Sequence, residues 1–450
     1  MVKRLLNKYE GRESMIAPVI VCCITCVVMI LAILFFPKIR IGKIAPDTYW
    51  IITIIGAIIT VLVSTTDIAT VGKALIADTA INPLKILVLF LSMTVLSIYL
   101  DELGFFRFLA NAALKRARTG QKKLFLYLYI TVSVLTVFTS NDVIILSFTP
   151  FICYFAKNAK INPLPYLAAE FVAANTWSMA LIIGNPTNIY LATASGIGFA
   201  EYVKYSIFPT LFAGLVAFGA LMLLFNKKLK EPMQAEAETV IIADKLSLWV
   251  GIAHLAVCTV MLAISSYVGI EMWIVSACAA GSLFIFTSVI SIARKRKPEA
   301  LIGCLKRAPY QLVPFVLSMF IMIVVLGDVG VTAVIGKFLG SSLPILKYGV
   351  ASFFASNLIN NIPMSVLFSS IIQSTDGAAD ISAIFATIIG SNVGAFFTPI
   401  GALAGIMWSS IIGKQNLKFG YTDFLKIGVT VAIPTLFAAL GGLWLAVTIF

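Results

Sequence analysis

Long apolar runs, cut by short polar loops, set the pattern of this chain. Met15–Phe36, Tyr49–Ser64 and Lys85–Leu100 are each long enough to predict a membrane span. Gly104–Arg118 is amphipathic. Leu124–Ala156 is apolar but broken midway by Ser140, Asn141 and Asp142, with basic loops at both ends. A segment that leaves and regains one side around a polar tip predicts a re-entrant hairpin. Pro165–Tyr202 is interrupted at Gly184–Asn188, which predicts a discontinuous helix, and Phe208–Phe225 is the last span of the first half.

After a polar stretch the order starts again. Ser247–Ser266, Met272–Ile290 and Gln311–Leu326 predict three spans. Ser342–Gln373 predicts a second hairpin with its tip at Asn357–Asn361. Ile381–Lys414 predicts a second discontinuous helix, broken at Gly390–Gly394, and Phe424–Leu445 the final span. The expected fold is an all-α polytopic membrane protein of inverted repeats. It has about ten transmembrane helices, two re-entrant hairpins and two discontinuous helices. Residues 1–226 would form the first repeat with its N-terminal spans, 227–246 a cytoplasmic linker, and 247–450 the second repeat.

The repeat has a register. Leu91, Ser92, Met93, Leu100 and Gly104 match Leu317, Ser318, Met319, Leu326 and Gly330 at one offset of 226 residues, which also pairs Glu102 with Asp328. Charge then orients the halves. The clusters Lys115–Lys123, Lys157/Lys160, Lys227–Lys230, Arg294–Arg307 and Lys414/Lys418 predict the cytoplasmic side. The loop Ser374–Asp380 carries Asp376 and Asp380 without Lys or Arg, and predicts the outside. Counting spans from these anchors brings the first hairpin in from inside and the second from outside. The same count puts the N-terminus outside despite Lys3, Arg4, Lys8 and Arg12. The next loop, with Lys38, Arg40 and Lys43, falls inside. The two loops disagree, so an extra or missing span near the N-terminus stays open.

Composition agrees with a membrane protein. Hydrophobic residues make up 60% and charged residues 12% of the chain, and mean hydropathy is +1.01. A soluble domain carries about 25% charged residues. The expected surroundings are the lipid bilayer, as a multi-pass protein of the cell (inner or plasma) membrane. The net charge of +13 lies in short loops, so nucleic acid is not an expected partner. Met15–Phe36 lacks a small-residue cleavage site and reads as a retained span. The seven Cys imply no disulfide framework, and the single His254 excludes a metal site built on a His cluster. No Walker A pattern and no nucleophile–base pair occur, so neither an enzyme nor a cofactor is expected. A channel, the other class, would not need two closed hairpins of opposite orientation.

Helix breakers and polar side chains are costly in lipid unless they line a cavity or site. Their recurrence in both halves points to a substrate site between inverted repeats. The first half offers Asn141, Asn185, Thr187 and Asn188, and the second Asn360, Asn361, Ser391 and Asn392, with Asn357 beside them. Amide side chains both donate and accept, and broken helices expose free backbone groups. Such a site suits a small neutral polyhydroxy solute, or an ion held by dipoles. The alternative is that Asn and Pro only end helices at loops. Asp142, an acid at a hairpin tip, would carry the coupling ion, H⁺ or Na⁺; it could equally be a helix N-cap. Glu170 would titrate as well, or face the cytoplasmic mouth. Asp101, Glu102 and Asp328 read as helix-end solvation. Neither tip nor break holds Lys or Arg, which counts against direct ion pairing with a carboxylate, although helix N-termini could substitute. Cys22, Cys23 and Cys26 could bind a soft metalloid but read first as small apolar residues.

These motifs resemble the arsenical pump membrane protein (ArsB) family of the ion transporter superfamily. The resemblance lies in LSMTVLSIYLDELGFFRFLA (Leu91–Ala110), TSNDVIILSFTP (Thr139–Pro150), AANTWSMALIIGNPTNIYLA (Ala173–Ala192), NNIPMSV (Asn360–Val366) and GSNVGAFFTPIGALAGIMW (Gly390–Trp408). It implies proton-driven efflux of arsenite or antimonite by alternating access, through a mobile transport domain moving on a scaffold. It also implies dimers in many members and a separate ATPase subunit in some. The superfamily includes Na⁺/H⁺ antiporters and dicarboxylate or citrate carriers. Those carriers show Ser-Asn-Thr at both tips, where this chain has Ser-Asn-Asp and Asn-Asn-Ile-Pro.

Overall fold

The computed structural model describes residues 2–36, 38–39, 46–78, 82–116, 120–233, 242–374, 380–414 and 420–450. Arg40, Lys43, Arg118, Asp376 and Lys418, and residues 234–241 of the expected linker, lie outside the described residues. The first ten helices are α1 (Val2–Phe35), α2 (Thr48–Val63), α3 (Ile68–Ile76), α4 (Pro83–Glu102), α5 (Phe105–Arg116), α6 (Gln121–Phe138), α7 (Asn141–Asn158), α8 (Leu164–Trp177), α9 (Pro186–Ala194) and α10 (Phe199–Phe225). The next ten are α11 (Lys245–Val268), α12 (Met272–Ala293), α13 (Glu299–Arg307), α14 (Leu312–Asp328), α15 (Val331–Leu339), α16 (Pro344–Ile359), α17 (Asn361–Gln373), α18 (Ile381–Gly394), α19 (Leu403–Lys414) and α20 (Tyr421–Ile449). Among the described residues, eight helices are long and apolar enough to cross a membrane. Among the shorter apolar helices are α2 and the two pieces of the second broken helix, α18 and α19.

The two sets run in the same order and pack alike. α2 packs on α14, and its counterpart α12 packs on α4. α6 packs on α8 as α16 does on α18, while α7 meets α19 and α17 meets α9 across the halves. α10 and α20 form the largest contact. Gly104 and Gly330, paired by the 226-residue register, both take left-handed backbone, at φ +78° and +86°. Each lets the chain turn sharply from a long helix into a short one, at a φ that side chains disfavour. One layer holds α1–α4 with α11–α14, the other holds α6–α10 with α16–α20, and α5 and α15 join them.

Contacts between loops give the halves opposite directions. Arg307, before α14, pairs with Asp101 and Glu102 at the end of α4, both at 2.6 Å. Hence α14 begins where α4 ends. These two acids are paired, rather than simply solvated as the sequence suggested. Asp328, at the far end of α14, accepts from the Thr66 hydroxyl at 2.8 Å. The Gln121 side chain at the start of α6 donates to the Glu231 carbonyl at 2.8 Å, so the first hairpin opens at the basic-loop end. Gln373 at the end of α17 donates to Ala194 at 3.0 Å, so the second hairpin opens at the other end. Met15 of α1 sits against Gly330, also away from the basic loops.

The hairpins and broken helices form where expected, but with shifted breaks. Gly390–Gly394 is the last turn of α18, and the break falls at residues 395–402. The glycines serve packing there. A Cβ at Gly390 would collide with Ser352 and the Gly349 carbonyl of α16, and one at Gly394 with Ser356. Small residues let helices approach closely in lipid. Likewise α8 ends at Trp177 and α9 begins at Pro186, so Thr187 and Asn188 belong to the first turn of α9. α10 begins at Phe199, nine residues before the expected span.

Candidate functional site

Four helix N-termini meet where the hairpin tips and breaks converge: α7, α9, α17 and α19. Each brings the partial positive charge of a helix start, and the first N–H groups of α9 and α17 are already paired, with Asn185, Asn360 and the Gly401 carbonyl. Asn185 caps α9 by accepting from the Thr187 N–H and hydroxyl, both at 3.1 Å. Asn360 caps α17 by accepting from the Ile362 N–H at 3.3 Å, and its φ of +71° makes the tight turn between the hairpin arms. With ψ at 151° this backbone lies outside the left-handed helical well, in a region usually reserved for glycine.

A buried amide network joins the halves. The Asn392 carbonyl accepts from Asn185 Nδ2 at 2.9 Å and from the Ser178 hydroxyl at 3.0 Å. Asn392 Nδ2 donates to Asn188 Oδ1 at 2.7 Å and to the Ile388 carbonyl at 2.8 Å. Asn188 Nδ2 in turn donates to the Ser178 carbonyl at 2.7 Å, closing the first break. On the near side Asn141 Nδ2 donates to Asn175 Oδ1 at 3.1 Å, tying the tip of the first hairpin to α8. On the far side Asn357 donates to the Gly394 carbonyl at 3.1 Å and accepts from the Thr398 hydroxyl at 2.6 Å. The Asn361 N–H donates to the Gly401 carbonyl at 3.0 Å, and Asn360 Nδ2 to Ile400 at 3.3 Å. The second tip is thereby fastened to the second break. In lipid no water can satisfy these groups, so the network itself holds the broken helices together.

Several hydroxyls in this region are buried without a hydrogen-bond partner: Ser140, Thr176, Ser391 and Tyr190. Tyr190, Thr187, Ile362 and Ser365 line a void of about 20 Å³ between the bundle and helices α4 and α14. It has room for about one water. A larger crevice of about 210 Å³ lies beyond it, between Lys85, Glu271 and Trp273 of one layer and Thr193 and Gly196–Gly198 of the other. This crevice lies at the end away from the basic loops. Lys85 bridges Asp78 at 2.5 Å and Glu271 at 2.7 Å on its rim.

The two acids stand apart from the network. Asp142 is half-buried at the first tip, next to Asn141, whose Oδ1 accepts the Asp142 N–H at 2.9 Å. Tyr49 of α2, in the opposite layer, lies within electrostatic reach of it. Its counterpart at the second tip is Ile362, so the acid has no symmetry mate. Glu170 is fully buried in α8 against Thr149 of α7 and Trp408 of α19. Asn175 and Ser178 carry bonds in the network but lack a breaker beside them in sequence, whereas Thr398 stands directly before Pro399. One 217-residue offset pairs Asn175 with Asn392 and Gly184 with Gly401, and would have revealed the first of them. Cys22, Cys23 and Cys26 lie on α1, in the other layer from the network.

Comparison with known proteins agrees with this architecture. A family model described as citrate transporter (CitMHS) matches residues 24–388. An Escherichia coli protein named arsenical pump membrane protein is 27% identical over 384 residues, covering 80% of this chain and 86% of its own length. A Yersinia enterocolitica protein of the same name is 27% identical with the same coverage, 80% and 86%. A putative arsenical pump membrane protein of Bacillus subtilis is 22% identical, covering 84% of this chain and 89% of its own. The solved structure of the Alcanivorax borkumensis YdaH transporter superposes with a TM-score of 0.52 at 13% identity, over 97% of this chain and 99% of that one. That likeness bears on the fold alone.

Proposed function

The chain belongs to the citrate transporter (CitMHS) family of membrane transporters, and from that premise we propose that it exports arsenite or antimonite in exchange for protons. One observation carries the choice of substrate. The site is built from amides and hydroxyls, several of them unpartnered, and neither its tips nor its breaks hold Lys or Arg. Arsenite at neutral pH is an uncharged trihydroxy species. Its hydroxyls can donate to amide carbonyls and accept from amide N–H groups and helix N-termini. The names of the Escherichia coli and Yersinia enterocolitica relatives support the same reading.

Asn141, Asn185, Thr187, Asn188, Asn360, Asn361, Ser391 and Asn392 bind the solute in this proposal, and Asp142 carries the coupling proton. Residues 1–226 and 247–450 act as the two inverted repeats. The layer of hairpins and broken helices moves against the other layer and exposes the site to each side in turn. A second copy or an ATPase subunit would attach outside the moving layer. A carboxylate substrate is the second reading, favoured by the family's description and by the four converging helix N-termini.

Uptake into everted membrane vesicles with an imposed pH gradient tests the choice. Arsenite uptake that collapses when the gradient is dissipated is the expected result. Citrate uptake with arsenite ignored would establish the carboxylate reading instead. Dissipation of the gradient by Na⁺ alone would establish Na⁺/H⁺ exchange.

A further inference from the structure

Glu170 has polar neighbours that define its protonation state. Thr149 Oγ1 lies 2.6 Å from the Ile145 carbonyl oxygen, 2.8 Å from Glu170 Oε1 and 3.1 Å from Oε2. A hydroxyl has one proton to give, and a carbonyl can only accept. The shorter contact, to Ile145, therefore takes the Thr149 proton. Two lone-pair-bearing oxygens do not settle 2.8 Å apart without a proton between them, so the carboxyl group supplies it. Two groups that can only donate also face the carboxyl, the Trp408 indole N–H and the Thr149 backbone N–H. The indole suits the carbonyl oxygen of a carboxylic acid.

As a neutral acid, Glu170 thus has an acceptor for its O–H, with the Trp408 indole beside its C=O. As a carboxylate it would face the Thr149 lone pair in a fully buried place with no counter-charge among the described residues. The Cys153 thiol on α7 is the other titratable group within its electrostatic reach. Among the described residues, α6, α10 and α18, which also pack on α8, bring no charged group to it.

The three partners sit on three separate elements. Thr149 is on the second arm of the first hairpin, Glu170 on the first piece of one broken helix, and Trp408 on the second piece of the other. Phe171 stacks on Trp408 at 4.9 Å, and Phe424 closes the cage edge-on to both rings at 5.6 Å. Glu170 is little more than a turn along α8 from Tyr166, whose hydroxyl donates to Gln121 Oε1 at 2.9 Å at the basic-loop end. The crevice between the layers lies at the opposite end. The cage therefore seals the site on the basic-loop side.

We propose that Glu170 is a proton-held latch on the basic-loop side of the site. Protonated, it ties the first hairpin to the distal piece of the second broken helix. When it gives its proton to water at the basic-loop end, the carboxylate must be hydrated, and α7 and α19 part to admit that water. The opening step rests on the transport reading above, whereas the protonation does not.

Infrared spectroscopy of the full chain in lipid at pH 7 tests the latch directly. A solvated Glu is ionised at that pH. The expected result is a carboxylic-acid C=O band that shifts in D₂O and disappears in Glu170→Gln. That variant keeps the shape and an N–H for Thr149 but has no proton to release. It should unfold at the wild-type temperature and lose the pH dependence of uptake. Thr149→Val should move the band. A missing band, or one that survives Glu170→Gln and vanishes only in Asp142→Asn, would overturn the latch. So would uptake in Glu170→Gln that keeps the wild-type pH profile. The band is read without substrate, so a protein that ignored arsenite would contradict the proposed function and leave the protonation of Glu170 standing.

Discussion

Asn392→Ala is the substitution whose cost the structure specifies best. Asn392 is fully buried, and its amide makes four contacts, to Asn185, Ser178, Asn188 and Ile388. Ser178 keeps a second acceptor, the Asn175 carbonyl, at 2.9 Å. Asn185 Nδ2 and Asn188 Oδ1 would be left without a partner. Two orphaned buried groups at about 1–3 kcal/mol each give a loss of about 2–6 kcal/mol. Side-chain hydrogen bonds within bilayers have averaged about 0.6 kcal/mol because neighbours find new partners, which brings the expectation to the low end, about 2–3 kcal/mol. The assay is thermal unfolding of Asn188→Ala, Asn392→Ala and the double variant in lipid nanodiscs. The double variant should be less destabilised than the sum of the singles, by about 1 kcal/mol or more. Additivity within about 0.5 kcal/mol would refute the network as an energetic unit.

Asp142→Asn should abolish pH-driven uptake while the protein stays folded, and unchanged uptake would reject its coupling role. Gly401→Ala should cost both folded yield and transport, because its Cβ would meet the Gly394 carbonyl. Gly413→Ala, where a Cβ meets nothing, is the control, measured by monodispersity and uptake. Equal behaviour of the two glycine variants would show that the second break tolerates repacking. Replacing Cys22, Cys23 and Cys26 together with Ser should leave transport nearly unchanged, and a large loss would place the thiols on the path.

Much of this fold was legible because lipid punishes the features that reveal it. Asn141 and Asp142 inside Leu124–Ala156 could only be a turn at a protected site, and α6 and α7 do meet there. The 226-residue register anticipated the paired left-handed glycines, Gly104 and Gly330. The exact breaks were less legible. Gly390 and Gly394 look like helix breakers in sequence, yet they serve the contact of α18 with α16, a demand that only the neighbouring helix reveals. The short helices α3 and α13 leave weak signals, since each is nine residues long. Asn175 and Ser178 sit within helix-compatible sequence, and their part in the site depends on Asn141 and Asn392 arriving from other elements.

The most direct measurement is made on purified protein in proteoliposomes, with internal pH and arsenite uptake recorded together. The account predicts that an arsenite gradient drives proton movement in the opposite direction, and that Asp142→Asn abolishes both fluxes. Arsenite uptake without any proton movement, or proton movement that survives Asp142→Asn, would contradict it.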